Sequence, residues 1–512
     1  MNLHDLFAIP RRRSPGKPAL RFSAPDGART DLTYAELFDA ADRLAAGFHE
    51  RGLRPGDRVA FFLGNRPEFV TAYLATIRLG AVMVPMNLAY RRREIGHILA
   101  DATPRFVVTE RSQLPFLDEV EPEDRASVEA VLLAEELARS RGNRPGNLAA
   151  LPASLVDGDH LAMILYTSGT TGRSKGAMIT HGNVLATVTG LLAAWAWQPE
   201  DVLLLTLPLF HTHGLVVGLH CALAAGATVL LRQRFNAAEA AGELLGGEPT
   251  LFFGVPTLYV RLVEEFRRQG GAGVPRIRLF CSGSAPLSPE TFEAFRELTG
   301  HAILERYGMT ETGMSLSNSY AGARIPGTVG TPLPGVSARI VDSANRDLRD
   351  VEPGGEGELL VRGSHVFPGY WRDPAKTAES FARDELGRRC FRTGDLARRD
   401  PATGHYTLLG RRHEQILRGG FNIYPREIEE VLASFPGVRE AAVVGRPHPE
   451  WGEVPVAFLV VEEGAVDEDA LKEFCGNQMA SFKIPREIRY LDVLPRNALG
   501  KVLKAELKEL VR

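Results

Sequence analysis

The stretch Tyr166-Thr167-Ser168-Gly169-Thr170-Thr171-Gly172-Arg173-Ser174-Lys175-Gly176-Ala177-Met178 gathers glycines, hydroxyls and two cations between apolar flanks. Such a set suits an oligophosphate. Glycines let successive backbone N–H groups turn toward one anion, hydroxyls add neutral donors, and Arg173 and Lys175 bring positive charge beside phosphate oxygens. The Walker order, in which Gly-Lys-Ser/Thr follows a Gly and four residues, does not occur here. A Ser/Thr/Gly-rich run is also what an ordinary solvated turn looks like, so its meaning depends on what accompanies it.

Five further stretches carry usable chemistry. Leu207-Pro208-Leu209-Phe210-His211-Thr212-His213-Gly214 puts two imidazoles just past an apolar run, where α/β sheets hold their ligands. Two histidines could begin a metal site, but no third ligand is near, and lining a substrate pocket is the simpler role. Tyr307-Gly308-Met309-Thr310-Glu311-Thr312 offers a ring to stack on a base and a hard carboxylate for Mg²⁺ bridging phosphates; alone, it could equally be a strand end with a cap. Arg392-Thr393-Gly394-Asp395 supplies a carboxylate able to take two hydroxyl donors, or else a tight Asx turn. Arg418-Gly419-Gly420-Phe421 would let a thin ligand arm approach the backbone closely, or simply precede a helix. Pro495-Arg496-Asn497-Ala498-Leu499-Gly500-Lys501 sets a lysine on a Gly-hinged loop, able to swing a point charge onto a reacting carboxylate and phosphate. The neighbouring Lys504 and Lys508 read as solvated surface cations.

The elements that must hold these residues follow from periodicity. Thr33-Tyr34-Ala35-Glu36 forms a capping box for a helix ending near Gly52. Strands at 58–63, 82–85, 106–108, 202–205 and 278–281 alternate with helical segments, as in βαβ units, and Leu161–Leu165 would deliver the Gly-rich loop to a helix opening at His181. Segment 138–150 reads as a polar surface loop, and 214–231 as a buried helix ending near Gly226 before a short strand. The expected fold is therefore α/β over a large N-terminal part, 1–411. A small α+β unit, 412–512, follows, with helices near 425–434 and 468–479 and strands near 440–444, 454–461 and 488–491.

Composition narrows the function. The 512 residues are too many for one core, 44% apolar and 24% charged composition is that of a globular protein, and a net charge of -3 offers no broad attraction for nucleic acid or an anionic membrane. Cys221, Cys281, Cys390 and Cys475 are widely spaced, suggesting neither disulfides nor zinc. With no basic and apolar leader at Met1–Phe7 and no convincing membrane span, a cytoplasmic protein, monomeric or weakly dimeric, is expected.

Taken together and in order, these motifs resemble the adenylate-forming superfamily of acyl-CoA synthetases, firefly luciferase and peptide-synthetase adenylation domains. The resemblance spans essentially the whole chain. It implies that Thr167, Ser168, Gly169, Thr170, Thr171, Gly172 and Lys175 cradle ATP phosphates, that Glu311 and Thr170 hold Mg²⁺, and that Ser284, Ala285, Glu305, Arg306, Tyr307, Gly308 and Thr310 surround the nucleotide. Asp395 and Arg411 would take the ribose, Gly419, Gly420 and Phe421 the pantetheine arm of coenzyme A, and Lys501 would be catalytic together with Thr170, Glu311 and His211. The hinge residue, commonly Asp or Lys in the family, is His413 here, with Glu414 next. The implied reaction has two steps. A carboxylate and ATP give an acyl-adenylate and pyrophosphate; the small domain then rotates and the coenzyme A thiol displaces AMP.

Arg306 bears on which acid is used. A buried guanidinium beside the acyl site would be costly for a fatty or aromatic acid, whereas a dicarboxylate would pair with it, with His211 or His213 as a further donor. Alternatively, Arg306 pairs with Glu305. The runs around Ser284, Arg306 and His211 and the Gly172-Arg173-Ser174 variant of the loop resemble the malonyl-CoA synthetase subfamily, which implies that Arg306, Arg173, His211 and His213 serve malonate or ATP binding, that malonate or methylmalonate is the substrate, and that the product is used in fatty acid metabolism. Ligation of a medium-chain or aromatic monoacid, and loading of a carrier protein, are the competing readings.

Overall fold

The computed structural model describes residues 1–24, 27–140, 156–167, 174–271, 273–342, 348–418, 421–449, 451–462, 466–497 and 500–511. Two mainly parallel sheets make up most of the large domain. In the seven-stranded one, Arg58–Phe62, Val82–Pro85 and Phe106–Thr109 run parallel, and all four residues of Val82–Pro85 are buried. Such continuous apolar runs are what a sheet covered on both faces demands. In the nine-stranded sheet, Val202–Leu205, Thr228–Arg232, Leu251–Gly254, Leu279–Ser282 and Leu304–Met309 lie parallel.

One continuous apolar core joins the two sheets, containing Val59, Phe61 and Met83 from one and Leu203, Leu205 and Leu231 from the other. Helix Pro67–Arg78 is buried from Pro67 through Ile77, so it is an interior helix rather than a half-exposed one. The expected capping box is present: Thr33 and Glu36 exchange bonds at the start of helix Tyr34–Glu50.

A third, antiparallel sheet pairs Glu356–Arg362, Arg389–Arg399 and Tyr406–Arg411, and its register sets Asp395 opposite Arg411. The small domain has its own sheet, Ile416–Arg418, Phe421–Ile423, Val438–His448, Gly452–Val461 and Glu487–Tyr490. Helices Pro425–Ala433 and Glu468–Gln478 cover it with a separate core around Ile428, Leu432 and Leu471.

Three local expectations change. Lys175–Thr180 is a strand, paired antiparallel with Leu161–Thr167, and it stands before helix His181–Ala194, which opens at the expected residue. Residues 213–220 are π-helical before a short α-helix ends at Gly226, whose φ of 78° gives the expected glycine cap. Of the segment 138–150 expected as a loop, residues 138–140 lie in helix Ala134–Ser140 and 141–150 lie outside the described residues. All four cysteines are buried and free, and no helix among the described residues is long and apolar enough to cross a membrane.

Candidate functional site

Several of the singled-out residues stand at or just beyond strand ends: Thr167 closes strand Leu161–Thr167, His211 and His213 follow strand Val202–Leu205, and Ser284 follows strand Leu279–Ser282. Strand Leu304–Met309 alternates faces, so Glu305 and Arg306 point opposite ways and do not pair. Glu305 instead accepts the Gly327 N–H at 3.1 Å, and burial raises its pKa to about 7, against the pull of that N–H and of Arg426 from the small domain.

Arg306 is 3% exposed, and its Nε and Nη2 have no partner. Burial lowers its pKa, but an arginine stays charged. The groups acting on it, Cys281 and Tyr259, are no counter-ions: burial lifts the Cys281 thiol to about 11 and the Tyr259 phenol well above its usual value. Among the described residues, a fixed buried cation is thus left without an anion.

The two histidines stand near Arg306. The His213 N–H donates to His211 Nδ1 at 3.2 Å, which leaves the proton of neutral His211 on Nε2. His213 Nδ1 lies 3.3 Å from the Ser284 hydroxyl, and its buried Nε2 is unpartnered. Burial and then Arg306 hold His211 near pKa 4 and His213 well below its usual value, so both are neutral donors at physiological pH. They line a cavity of about 350 Å³ whose other walls include Leu88, Phe235 and Leu258. Among the described residues no group of three or more His, Cys, Asp or Glu side chains could hold a metal.

On the nucleotide side, Tyr307 donates its hydroxyl to Asp395 Oδ2, and Arg411 Nε stands 2.9 Å from Asp395 Oδ1. Arg411 also donates to the Thr393 carbonyl at 3.1 Å. The tyrosine is therefore tied to the carboxylate expected to receive the ribose, a link its spacing did not reveal. Ser284 takes a φ of 72°, while Ala285 lies exposed beside it. Gly308 sits at a bulge against Gly313 and Met314, where a side chain would collide.

Thr167 and Lys175 face each other as the last and first residues of two paired strands; Ser168, Gly169, Thr170, Thr171, Gly172 and Arg173 lie outside the described residues. Glu311, buried in the short 3₁₀ turn Thr310–Thr312, accepts from the Tyr370 hydroxyl at 3.0 Å and from Thr167 at 3.5 Å. Burial raises its pKa despite these bonds. A buried carboxylate that accepts two hydroxyls and a backbone N–H, with Arg411 acting on it from further away, fits a divalent ion held largely by phosphate oxygens. Tyr370, far away in sequence, gave no signal of this role.

The small domain reaches the cavity that His211 and His213 line. Gly500, with a φ of 78°, turns the Lys501 loop so that Asn497 N–H meets the Lys501 carbonyl at 2.9 Å, and Gly500 borders the cavity lined by His211. Lys501 is open to water but stands in the field of Arg411, Glu414 and Asp395; desolvation and Arg411 lower its pKa, while the two acids oppose them. Lys504, read as solvated, is instead 17% exposed and bridges Glu429 at 2.6 Å and Glu414 at 3.3 Å. His413 sits 3.9 Å from Glu414 in the 3₁₀ turn Arg412–Glu414. Gly419 and Gly420 lie outside the described residues, and the Phe421 backbone is in a strand.

The chain is similar to several known proteins over most of its length. Malonate–CoA ligase ACSF3, mitochondrial, of Mus musculus is 36% identical over 93% of this chain and 86% of its own length. Sulfoacetate–CoA ligase of Cupriavidus necator is 35% identical over 99% of this chain and 97% of its own. Among solved structures, ATP-bound MatB from Rhodopseudomonas palustris is 38% identical, covers 100% of this chain and 99% of its own, and superposes with a TM-score of 0.89; the apo form gives 0.80. The family described as AMP-binding enzyme matches residues 7–371, its C-terminal domain matches 427–501, and the chain belongs to this adenylate-forming family.

Proposed function

We propose that the chain is an ATP-dependent malonate–CoA ligase, converting malonate, ATP and coenzyme A to malonyl-CoA, AMP and pyrophosphate. The observation that carries this reading is Arg306: a buried guanidinium that, among the described residues, has two nitrogens without a hydrogen-bond partner and stands near neutral imidazoles rather than an acid. Leaving a buried charge uncompensated is expensive, and a substrate's second carboxylate removes that cost. A fatty or aromatic tail would not.

In this account Arg306 and the Nε2 protons of His211 and His213 hold the distal carboxylate. The reactive carboxylate attacks the α-phosphorus of ATP, and pyrophosphate leaves. Lys501, steered by Asp395 and Glu414, neutralises the charge that builds on the attacking and α-phosphoryl oxygens. Asp395 and Arg411 fix the ribose, and Thr167, Lys175 and the Gly-rich loop between them receive the β- and γ-phosphates. Glu311, with Thr170, would hold a Mg²⁺ that draws charge from those phosphates. The small domain, 412–512, then turns about His413 and brings the 419–421 loop to the thiol arm, while Lys501 withdraws.

The cavity's apolar walls, Leu88, Phe235 and Leu258, leave room for a methyl on C2, so methylmalonate is a second substrate. A cytoplasmic setting, a monomeric or weakly dimeric state and a supply of malonyl-CoA to fatty acid metabolism complete the proposal. The test is product identification by mass spectrometry after incubation with ATP, Mg²⁺, coenzyme A and each of malonate, sulfoacetate, acetate, octanoate and benzoate. Malonyl-CoA as the dominant thioester supports the reading; octanoyl- or benzoyl-CoA in its place overturns it.

A further inference from the structure

The histidine turn is held from outside its own sheet. Asn65 lies between strand Arg58–Phe62 and helix Pro67–Arg78, elements of the seven-stranded sheet's layer, and is 4% exposed. Its Nδ2 donates to the Leu207 carbonyl at 2.9 Å and the Arg232 carbonyl at 3.1 Å, and its Oδ1 accepts the Leu209 N–H at 2.8 Å. Leu207 and Leu209 bracket Pro208 just before His211, and Arg232 closes the neighbouring strand Thr228–Arg232 of the nine-stranded sheet.

One amide therefore uses both its protons and its oxygen to stitch two strand ends of one sheet to a turn of the other. These groups have run past their ladder, and a buried carbonyl or N–H left without a partner is costly, so the turn's position depends on Asn65. Close packing beyond it fixes the rest: a side chain at Gly214 would collide with the backbone of Leu207 and Pro208. Asn65 also borders the cavity that His211 and His213 line.

We infer that Asn65 is a positioning residue for substrate selection: it sets the two imidazoles at the spacing from Arg306 at which one distal carboxylate meets all three side chains. This inference rests on the dicarboxylate reading above. Among the described residues the hydrogen bonds of Asn65 go to the histidine turn and to the Arg232 carbonyl, so its loss should fall on the second carboxylate and not on ATP.

The test compares Asn65→Ala and Asn65→Asp with the unaltered enzyme, using malonate and propionate, which differ in the distal carboxylate. Asn65→Asp is nearly isosteric and keeps the acceptor for Leu209 while losing both donors, so it remains informative if the alanine variant does not fold. The expected result is a fall of about 10- to 100-fold in kcat/KM for malonate, carried mainly by KM, with propionate changed by less than about threefold and KM for ATP unmoved. An equal loss for both acids, or no loss for malonate, overturns the inference. A failure of the dicarboxylate reading itself shows differently: the unaltered enzyme would not prefer malonate to propionate.

Discussion

Replacing Arg306 by Met should move activity and stability in opposite directions. Methionine nearly matches the side chain's length without its charge, in a site where the arginine is 3% exposed and two of its nitrogens are unpartnered. Removing an uncompensated buried charge in favour of an apolar group of similar size is neutral or stabilising by about 1–4 kcal/mol. The bound malonate then suffers the reverse, because its distal carboxylate is buried beside two neutral imidazoles with no cation. Breaking such a pair costs about 3–5 kcal/mol, which at 1.36 kcal/mol per tenfold is a loss of about 10²- to 10⁴-fold in kcat/KM. The assay pairs steady-state pyrophosphate release with denaturant unfolding of the ligand-free enzyme. An Arg306→Met variant that is clearly less stable yet still turns over malonate normally would refute the reasoning and make Arg306 a structural residue.

Three further outcomes follow from named contacts. A Cβ at Gly283 would stand 2.5 Å from Arg306 Nε and 2.7 Å from Nη1, so Gly283→Ala should displace the guanidinium and raise KM for malonate about tenfold or more, with KM for ATP nearly constant; equal shifts in both would count against it. Lys501→Ala should slow adenylate formation by about 10²-fold or more while thioester formation from pre-made malonyl-adenylate continues, measured by rapid-quench assay of each half-reaction; equal losses in both would contradict alternation of the small domain. His4, His181 and His211 have pKa values near 4 and His220 near 3, against an ordinary 6.5, chiefly through burial. Below pH 6.5 the unfolded chain binds protons that the fold refuses, so stability should fall from pH 6.5 toward 4, by about 1.4 kcal/mol per pH unit for each histidine. His220→Phe, at a site already packed between Phe7 and Tyr73, should make that slope shallower by one histidine; an unchanged slope in denaturant titrations would be contrary.

Much of the architecture is legible in the sequence because its signals are local. The alternation of apolar runs with helical segments marks the parallel strands, and Thr33–Glu36 marks a helix start through chemistry confined to four residues. Strand Lys175–Thr180 is harder. A glycine followed by apolar residues opens a strand as readily as it precedes a helix, and only pairing with Leu161–Thr167 decides between them. The π-helix at His213–His220 has no sequence period that distinguishes it from an α-helix.

At the site, residue types identified Arg306, Asp395 and Glu311, but not what surrounds them. The separation of Glu305 from Arg306 follows from strand alternation once Leu304–Met309 is known to be extended. Tyr370, Asn65 and the acid pair holding Lys504 come from distant segments and are joined by the fold alone. His413 shows the limit of analogy: in place of the family's common hinge residue stands an imidazole whose pKa burial lowers and Glu414 partly restores. Kept neutral, it adds no further cation near Arg411, Lys501 and Lys508.

The central claim is that the acyl site is built for a second anion. Its most direct measurement is the ratio of kcat/KM for malonate to that for propionate in the unaltered enzyme, under one set of ATP, Mg²⁺ and coenzyme A concentrations. The two acids differ only in the group facing Arg306. The account expects malonate to be favoured by about 10³- to 10⁴-fold, the scale on which a site with buried polar groups rejects a substrate lacking their partner. A ratio near one, or one favouring propionate, would contradict it.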